Sequence, residues 1–354
     1  MTEGISQSIY TLRFPLAVMV VFIHSFGFGD VDGYNIYNCL RIYITNIACQ
    51  VAVPLFFFIS GYLFYQKLSI WNWNIWKNKM RARFWTLFIP YLIWNLIRLV
   101  FNNLLLDEKI AFTPNIWWHY TWVDSGYINW KGTVISLSTP LHIPFWFIRN
   151  LIVITLFTPL IYKIFLSRFD RIYILLLFIT YISSIFPTIP GLCPRSLFFF
   201  SLGAYCSIHQ IDYLSRIRKY LPVLIIISVC TSMFLLVRHE STSVRSIILP
   251  LFVLSSMGVC IDISSQTNKL LSWCRLKLFV DNTFFIFAFH SFILVALYRF
   301  VDCSNLLSEN SIANRIGLIG LYFLYPLIAI CISILFSEFL KRYLPFIHKL
   351  LTGK

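Results

Sequence analysis

The chain has 354 residues, of which 58% are hydrophobic and 12% charged, and its formal net charge is +15 at pH 7. A mean hydropathy of +0.76 excludes an ordinary soluble domain and predicts an all-α integral membrane bundle. The positive charge by itself would suggest a nucleic-acid partner. The placement of the basic residues explains the charge without one, so no nucleic acid is expected.

Ten apolar segments are candidates for transmembrane helices. In chain order they are 9–28, 47–66, 84–106, 145–162, 172–190, 195–208, 220–237, 246–261, 279–300 and 316–337. The sixth and the eighth are short for a span of about 20 residues. With a cytoplasmic N-terminus, the inner loops and tail hold about twice as many Lys and Arg residues as the outer segments. The sequence therefore predicts one multi-pass membrane domain over residues 1–354, with both termini cytoplasmic.

The first predicted helix, 9–28, carries Arg13 and His24 in an otherwise apolar stretch. Eleven residues make about three helical turns, so both side chains leave the same face, about 16 Å apart along the axis. Charges within a span are costly, which favours a functional pair facing the bundle interior. The alternative is an interfacial arginine and a histidine hydrogen-bonded to another helix. Asp30 and Asp32 in the next loop could orient His24, although solvated loop acids are the simpler interpretation.

The loop after the second span, WNWNIWKNKMRARFW, is both basic and aromatic. Such a segment can lie on anionic headgroups, and Lys79, Arg81 and Arg83 could equally bind phosphates. In the third span, Asn95 and Arg98 lie one turn apart on one face. An arginine at that depth in the membrane needs a partner or water.

The remaining spans offer fewer polar side chains. The Ser60-Gly61 pair of the second span would let helices approach closely. The aromatic outer segment 107–144 is expected to form a lid or an interfacial structure. Arg149 lies near the outer surface, and His290 in the ninth span is either a buried core residue or a ligand-facing one. The other histidines fall in loops or the tail and are expected to be solvated: His119, His142, His209, His239 and His348.

Several familiar sites are missing from the sequence. It has no Walker loop, no G-x-S-x-G and no H-E-x-x-H motif. Its nine cysteines show no C-x-x-C pair and no metal spacing, so no metal cofactor is predicted. Cys39 and Cys303 fall in predicted outer loops and could form a disulfide in an oxidising compartment, which the sequence leaves open.

The order of these segments resembles the membrane acyltransferase-3 family, bacterial O-acyltransferases that modify polysaccharides and other glycoconjugates. The most specific element is R-x10-H in the first helix, LRFPLAVMVVFIHSFG. Supporting segments follow in the family order: VPLFFFISGYLF, RFWTLFIPYLIWN, PFWFIRNL, FFFSLGAY and NTFFIFAFHSFIL. The resemblance covers nearly the whole chain.

The resemblance implies an enzyme of the bacterial inner membrane. It would transfer an acyl group, usually acetyl, from cytoplasmic acyl-CoA to a hydroxyl of a glycan or lipid-linked glycan. His24 would be the catalytic residue, with Arg13 as a cation on the donor side. Arg98, Arg149 and His290 are further candidates for substrate binding.

The donor site that the resemblance implies lies at the start of the third helix. Family members often have R-x-x-R there, and in this chain Arg83 fits the first position while Thr86 occupies the second. Arg81 or Lys79 could supply the missing charge for acyl-CoA.

A transporter or exporter of a glycan or lipid-linked intermediate is the main alternative, because buried Arg and His would also suit a transport cavity. No inverted repeat is visible in the sequence to support it.

Overall fold

The computed structural model describes residues 3–25, 36–66, 71–106, 113–123, 126–130, 133–137, 139–183, 189–239, 242–267, 273–300 and 312–353. The chain divides into two compact units, each made of two separate stretches. Unit 1 comprises Met1–Ile59 and Ile211–Glu338, and unit 2 comprises Ser60–Gln210 and Phe339–Lys354. The expectation of one domain over residues 1–354 stays a prediction.

The described residues are mainly helical. The first helices are α1 (Glu3–Ile23), α2 (Ile36–Arg41), α3 (Ala52–Tyr65), α4 (Trp73–Arg83), α5 (Ile89–Leu105) and α6 (Pro114–Trp118). Two short strands follow, β1 (Gly126–Trp130) and β2 (Thr133–Leu137). The later helices are α7 (Trp146–Leu156), α8 (Thr158–Phe165), α9 (Asp170–Ser183), α10 (Pro194–Ile208), α11 (Tyr213–Val237), α12 (Thr242–Thr267), α13 (Trp273–Asp281), α14 (Thr283–Phe300), α15 (Ile312–Tyr343) and α16 (Pro345–Thr352). Turns of π-helix cover Ile42–Ile47, Phe84–Phe88 and His119–Val123, and 3-10 turns cover Ala48–Val51 and Ile143–Phe145.

The described part of each of the ten predicted segments is mainly helical. Five helical runs of the described residues are long and apolar enough to cross a membrane: Ile36–Tyr65, Trp73–Leu105, Tyr213–Val237, Val244–Gln266 and Ala313–Tyr343. Ile143–Leu156 and Thr158–Phe165 meet at 60° and make a sixth if they count as one span. Ile9–Ile23 and Thr283–Arg299 are shorter apolar helices. The chain is thus a multi-pass helical membrane protein, while ten crossings and cytoplasmic termini stay predictions.

One boundary and one element differ from the sequence prediction. The second apolar run begins at Ile36 rather than at residue 47, because helical turns already cover the stretch around Cys39 that was expected to be an outer loop. Within the outer segment 107–144, β1 and β2 pair antiparallel, with Trp130 opposite Thr133. This hairpin is a local exception to the all-α prediction.

In unit 1, α1 packs against α14 and α15. One apolar cluster joins Ala17 and Val21 of α1 to Ile286 and Leu294 of α14 and to Ala329 of α15. The two residues of α1 are four positions apart and those of α14 are eight apart, so each pair lies on one face of its helix. The last turn of α1 therefore enters the core of this unit.

In unit 2, α5 shows a buried stripe that recurs every three or four residues, as expected for one face of a helix. Its members are Tyr91, Trp94, Asn95, Arg98, Leu99 and Asn102. The indole Nε1 of Trp94 donates to the carbonyl oxygen of Leu351 at 2.9 Å and so fastens α16 to α5.

Candidate active site

His24 lies immediately after α1, which ends at Ile23. Its backbone N–H is 3.2 Å from the carbonyl oxygens of both Val20 and Val21, so the helical path continues to this residue. The side chain is half-buried. A ligand can therefore reach the half-buried imidazole of His24, while the backbone of this residue is held in the helical path.

Two side chains hold the turn that carries His24. The hydroxyl of Thr45 donates to the carbonyl oxygen of Phe22 at 3.1 Å. The hydroxyl oxygens of Ser25 and Tyr298 are 2.8 Å apart, so Tyr298 of α14 binds the residue that follows His24. The backbone that carries the imidazole is thus held on both sides of His24 along the chain.

The structure brings His24 and His290 together. Their ring centroids are 5.3 Å apart and the ring planes are inclined by 40°. The side chain of His290 is completely buried in α14. Both histidines were site candidates from the sequence, but their spacing in the chain did not predict that they are neighbours.

Arg13 is half-buried on α1, nearer the start of the helix. Polar contacts surround this end of the helix: Tyr10 donates to Asp281 at 3.3 Å, and the hydroxyls of Thr11 and Ser264 are 2.8 Å apart. No carboxylate among the described residues forms an ion pair with Arg13. A cation in this setting is suited to meeting an anion that is not part of the chain.

The three basic candidates of α4 belong to unit 2. Lys79 donates to the carbonyl oxygen of Phe64, and the cationic groups of Lys79 and Arg83 lie 4.7 and 5.0 Å from the centre of the Phe64 ring. Arg81 and Arg83 also line a cavity of about 400 Å³. Its other walls come from Met80, Phe84, Phe88, Ile152, Thr155 and Leu156. Two arginines in a cavity with mostly apolar walls suit an organic anion.

Arg98 and Arg149 are also in unit 2, and both are buried. Arg98 is 8% exposed, with its guanidinium carbon 5.3 Å from the centre of the Phe101 ring. Arg149 is 2% exposed and donates through Nη1 to the carbonyl oxygen of Trp122 at 2.8 Å. Arg149 thereby fastens the aromatic turn His119–Val123 of the predicted outer segment.

The expectation that His142 is solvated is wrong. Its side chain has no exposed surface, and its ring centroid is 6.3 Å from that of Trp94 and 4.4 Å from that of Phe145. Its backbone N–H donates to Oδ1 of Asn95 at 3.1 Å. The apolar neighbours and two prolines in TPLHIPF are the sequence signal for a packed rather than a solvated segment.

The candidate residues therefore form two separate groups. His24, Arg13 and His290 belong to unit 1, and the other five candidates belong to unit 2. Cys39 lies in α2, whereas Cys303, Asp30 and Asp32 lie outside the described residues, so the suggested disulfide and the suggested carboxylate partner of His24 stay predictions.

Comparison with known proteins identifies the class of this membrane protein. The chain belongs to the acyltransferase-3 family, because the family model described as an acyltransferase domain matches residues 7–338. It is 25% identical over 381 residues to the succinoglycan biosynthesis protein ExoH of Rhizobium meliloti (strain 1021), in an alignment that covers 100% of this chain and 93% of that protein. No solved structure matches the chain significantly. The resemblance inferred from the sequence is thus confirmed.

Proposed function

We propose that the protein is a membrane O-acyltransferase that moves an acyl group, acetyl in the simplest case, from cytoplasmic acyl-CoA to a hydroxyl of a cell-surface or lipid-linked glycan. The family supports acyl transfer. The name of the relative, a succinoglycan biosynthesis protein, supports a polysaccharide acceptor. The observation that carries the proposal is the half-buried imidazole of His24 beside buried His290 on a fixed helix end.

His24 supplies the reactive group in this proposal. A neutral imidazole can remove the proton of the acceptor hydroxyl, or it can attack the thioester and carry the acyl group transiently. In either route the bond between the acyl carbon and sulfur breaks and an ester bond to the acceptor oxygen forms. Holding the turn through Thr45 and Tyr298 limits the positions of the ring and so favours a productive approach.

The donor would bind at basic groups. CoA carries phosphates, and guanidinium groups bind phosphate through paired, charge-assisted hydrogen bonds. The cavity lined by Arg81 and Arg83 has about 400 Å³ for part of such a molecule. Lys79 adds positive charge next to Arg83, and Arg13 adds a cation on the helix of His24.

The acceptor would meet the aromatic segment of unit 2. Aromatic rings can stack on sugar faces, and the rings of Trp118 and Trp122 are themselves stacked, with centroids 5.6 Å apart. Arg149 holds the backbone of Trp122, and buried Arg98 lies on α5. Arg149 would act on the acceptor side by supporting this surface, and Arg98 is a further candidate for binding substrate.

The test uses membranes that contain the full-length protein, radiolabelled acetyl-CoA and the lipid-linked glycan fraction of the expressing cells. We expect label to enter the glycan with the wild type and to fall at least 100-fold with His24→Ala. The matched control is His239→Ala, since His239 also follows a helix end, that of α11. An active His24→Ala variant would refute the role of His24. If label never leaves CoA but glycan crosses liposomes that hold the protein, the protein is a transporter.

A further inference from the structure

The C-terminal helix α16 has one exposed face that is mainly apolar. Phe346, Lys349 and Leu350 lie on this face, since they are three and four residues apart. All three side chains are exposed, that of Phe346 to 76%. Another face of the helix is fixed, because Leu351 is buried and its carbonyl oxygen accepts the hydrogen bond of Trp94 from α5. The exposed face of α16 is therefore carried by a helix that is itself held in place.

This face forms one wall of a cavity of about 320 Å³ within unit 2. Trp85 and Ile89 form the opposite wall, and Trp85 is 56% exposed. Gly353 lines the cavity just beyond the end of α16. A Cβ atom on Gly353 would lie only 2.3 Å from the Cα atom of Thr86, so the two walls are joined at this end by close backbone contact.

Both walls come from strongly basic parts of the chain. Residues 71–89 and residues 339–354 each contain four Lys or Arg residues and no Asp or Glu. Lys349 is the basic residue that lines the cavity itself. Among the described residues, its ammonium group takes part in no hydrogen bond, ion pair or cation–π contact. An exposed cation beside apolar walls complements a molecule with an anionic head and an apolar chain.

We propose that this cavity binds an anionic phospholipid of the surrounding membrane, with its phosphate at Lys349 and the upper part of one acyl chain between Trp85 and Phe346. The occupant is a membrane lipid because the chain is a multi-pass membrane protein and most of the cavity wall is apolar. A tryptophan beside a lysine is typical of the zone where headgroups meet acyl chains. A soluble phosphate compound would leave the apolar walls in water. The inference does not depend on the proposed acyl transfer.

Lipid retention tests the site. The full-length protein is purified in detergent with equal amounts of anionic phosphatidylglycerol and of phosphatidylcholine, which has no net charge, and native mass spectrometry counts the bound lipids. We expect the wild type to retain more phosphatidylglycerol. One lysine changes the binding of anionic lipid about fivefold, so Lys349→Gln should weaken phosphatidylglycerol binding by this factor and leave phosphatidylcholine unchanged. Lys349→Arg keeps the charge and should bind as the wild type does.

The matched control for the charge is Lys163→Gln, because Lys163 is also exposed in the last turn of a helix of unit 2, α8, but lies outside the cavity. Phe346→Ala should also weaken phosphatidylglycerol binding, whereas Leu160→Ala, at another exposed apolar residue of α8, should not. Size-exclusion chromatography checks that each variant is folded. Equal retention of both lipids by the wild type, or equal losses in the two lysine variants, would mean ordinary contact with the bilayer and would overturn the inference.

A photoreactive phosphatidylglycerol locates the bound lipid. With a diazirine near the start of one acyl chain, it should label peptides from α16 or from residues 84–89, and the labelling should fall in Lys349→Gln. An excess of unlabelled phosphatidylglycerol should prevent the labelling, whereas acetyl-CoA should not. Labelling confined to other helices, or protection by acetyl-CoA alone, would show that the cavity serves another ligand and would overturn the inference.

Discussion

The hydroxyl of Tyr298 lies 2.8 Å from that of Ser25, and this contact joins α14 to the residue after His24 across 273 positions of sequence. Tyr298→Phe removes the hydrogen bond but keeps the ring, whose centroid is 5.2 Å from that of Tyr325. Since a net hydrogen bond is worth about 1 kcal/mol, we expect a small loss of stability. We expect a several-fold lower kcat, because the variant removes a hydrogen bond that holds the residue next to His24. We expect an unchanged KM for acetyl-CoA, because the proposed donor-binding residues are not altered.

Steady-state kinetics in membranes checks this prediction, with Tyr343→Phe as the control because Tyr343 is 60% exposed. A fall in kcat of the same size in both variants would mean that the contact with Ser25 is irrelevant.

Gly61 is required by close helix packing in unit 2. A Cβ atom at this position would lie 2.0 Å from the backbone carbonyl oxygen of Phe200 in α10, which cannot move aside as a flexible side chain can. We expect Gly61→Ala to destabilise the protein by at least about 1–3 kcal/mol, the usual range for overpacking. Thermal unfolding in detergent, followed by circular dichroism, measures the loss.

Gly320→Ala is the matched control, because a Cβ atom there has no neighbour within 4 Å. Alanine is the better helix former by about 1 kcal/mol, so this variant should be neutral or slightly more stable. A neutral Gly61→Ala variant would show that α3 and α10 can separate at little cost.

The cavity lined by Arg81 and Arg83 in unit 2 leads us to expect that both residues bind the acyl donor. Arg81→Gln and Arg83→Gln each remove a charge that can pair with phosphate, worth about 1.5–3 kcal/mol when hydrogen-bonded. We therefore expect KM for acetyl-CoA to rise roughly tenfold or more for each variant, with kcat little changed. Arg168→Gln is the control, since Arg168 is exposed and lies outside this cavity. An equal rise in all three variants would indicate a general effect of surface charge.

Asp212 predicts a pH dependence of stability. Its carboxylate caps α11 by accepting the hydroxyl of Ser215 at 2.6 Å and the backbone N–H of Ser215 at 3.2 Å. These hydrogen bonds favour the charged form and lower the pKa of Asp212 in the folded protein. The stabilisation is therefore present above the unfolded pKa of about 3.9 and is lost as pH falls through the lower folded value.

Asp212→Ala should accordingly cost about 1 kcal/mol at pH 7, as for other N-caps, and progressively less in acid. The free energy of unfolding of both proteins in detergent, measured at pH 7 and near pH 3, checks this. A pH-independent difference would show that the charge of the cap does not contribute.

Local sequence patterns predicted the helices well, because long apolar runs and helical periodicity are properties of short segments. The start of the second run was placed too late, since Cys39 was expected in an outer loop, whereas it lies in α2. The ion pair between Arg218 and Asp262, at 3.1 Å, was missed because the predicted eighth span ended one residue before Asp262.

The site was only partly predictable for a different reason. Arg13 and His24 share one helix, so their common face follows from helix geometry. The closeness of His24 and His290 depends on how α1 and α14 pack, which no local pattern encodes. His142 was misjudged because a position between two spans was taken to mean exposure to solvent.

Unit 1 is built from two stretches that are far apart in the sequence, Met1–Ile59 and Ile211–Glu338, and this affects its synthesis in the cell. His24 leaves the ribosome with the first helix, but Tyr298 follows 273 positions after Ser25. At about 5–20 residues per second this delay is roughly 14 to 55 s. During that interval the nascent first helix exposes an arginine and an imidazole without the late helices that cover them. A frameshift between the end of α1 and Thr283 would leave every residue of α1 intact and still remove His290, and with it the histidine pair.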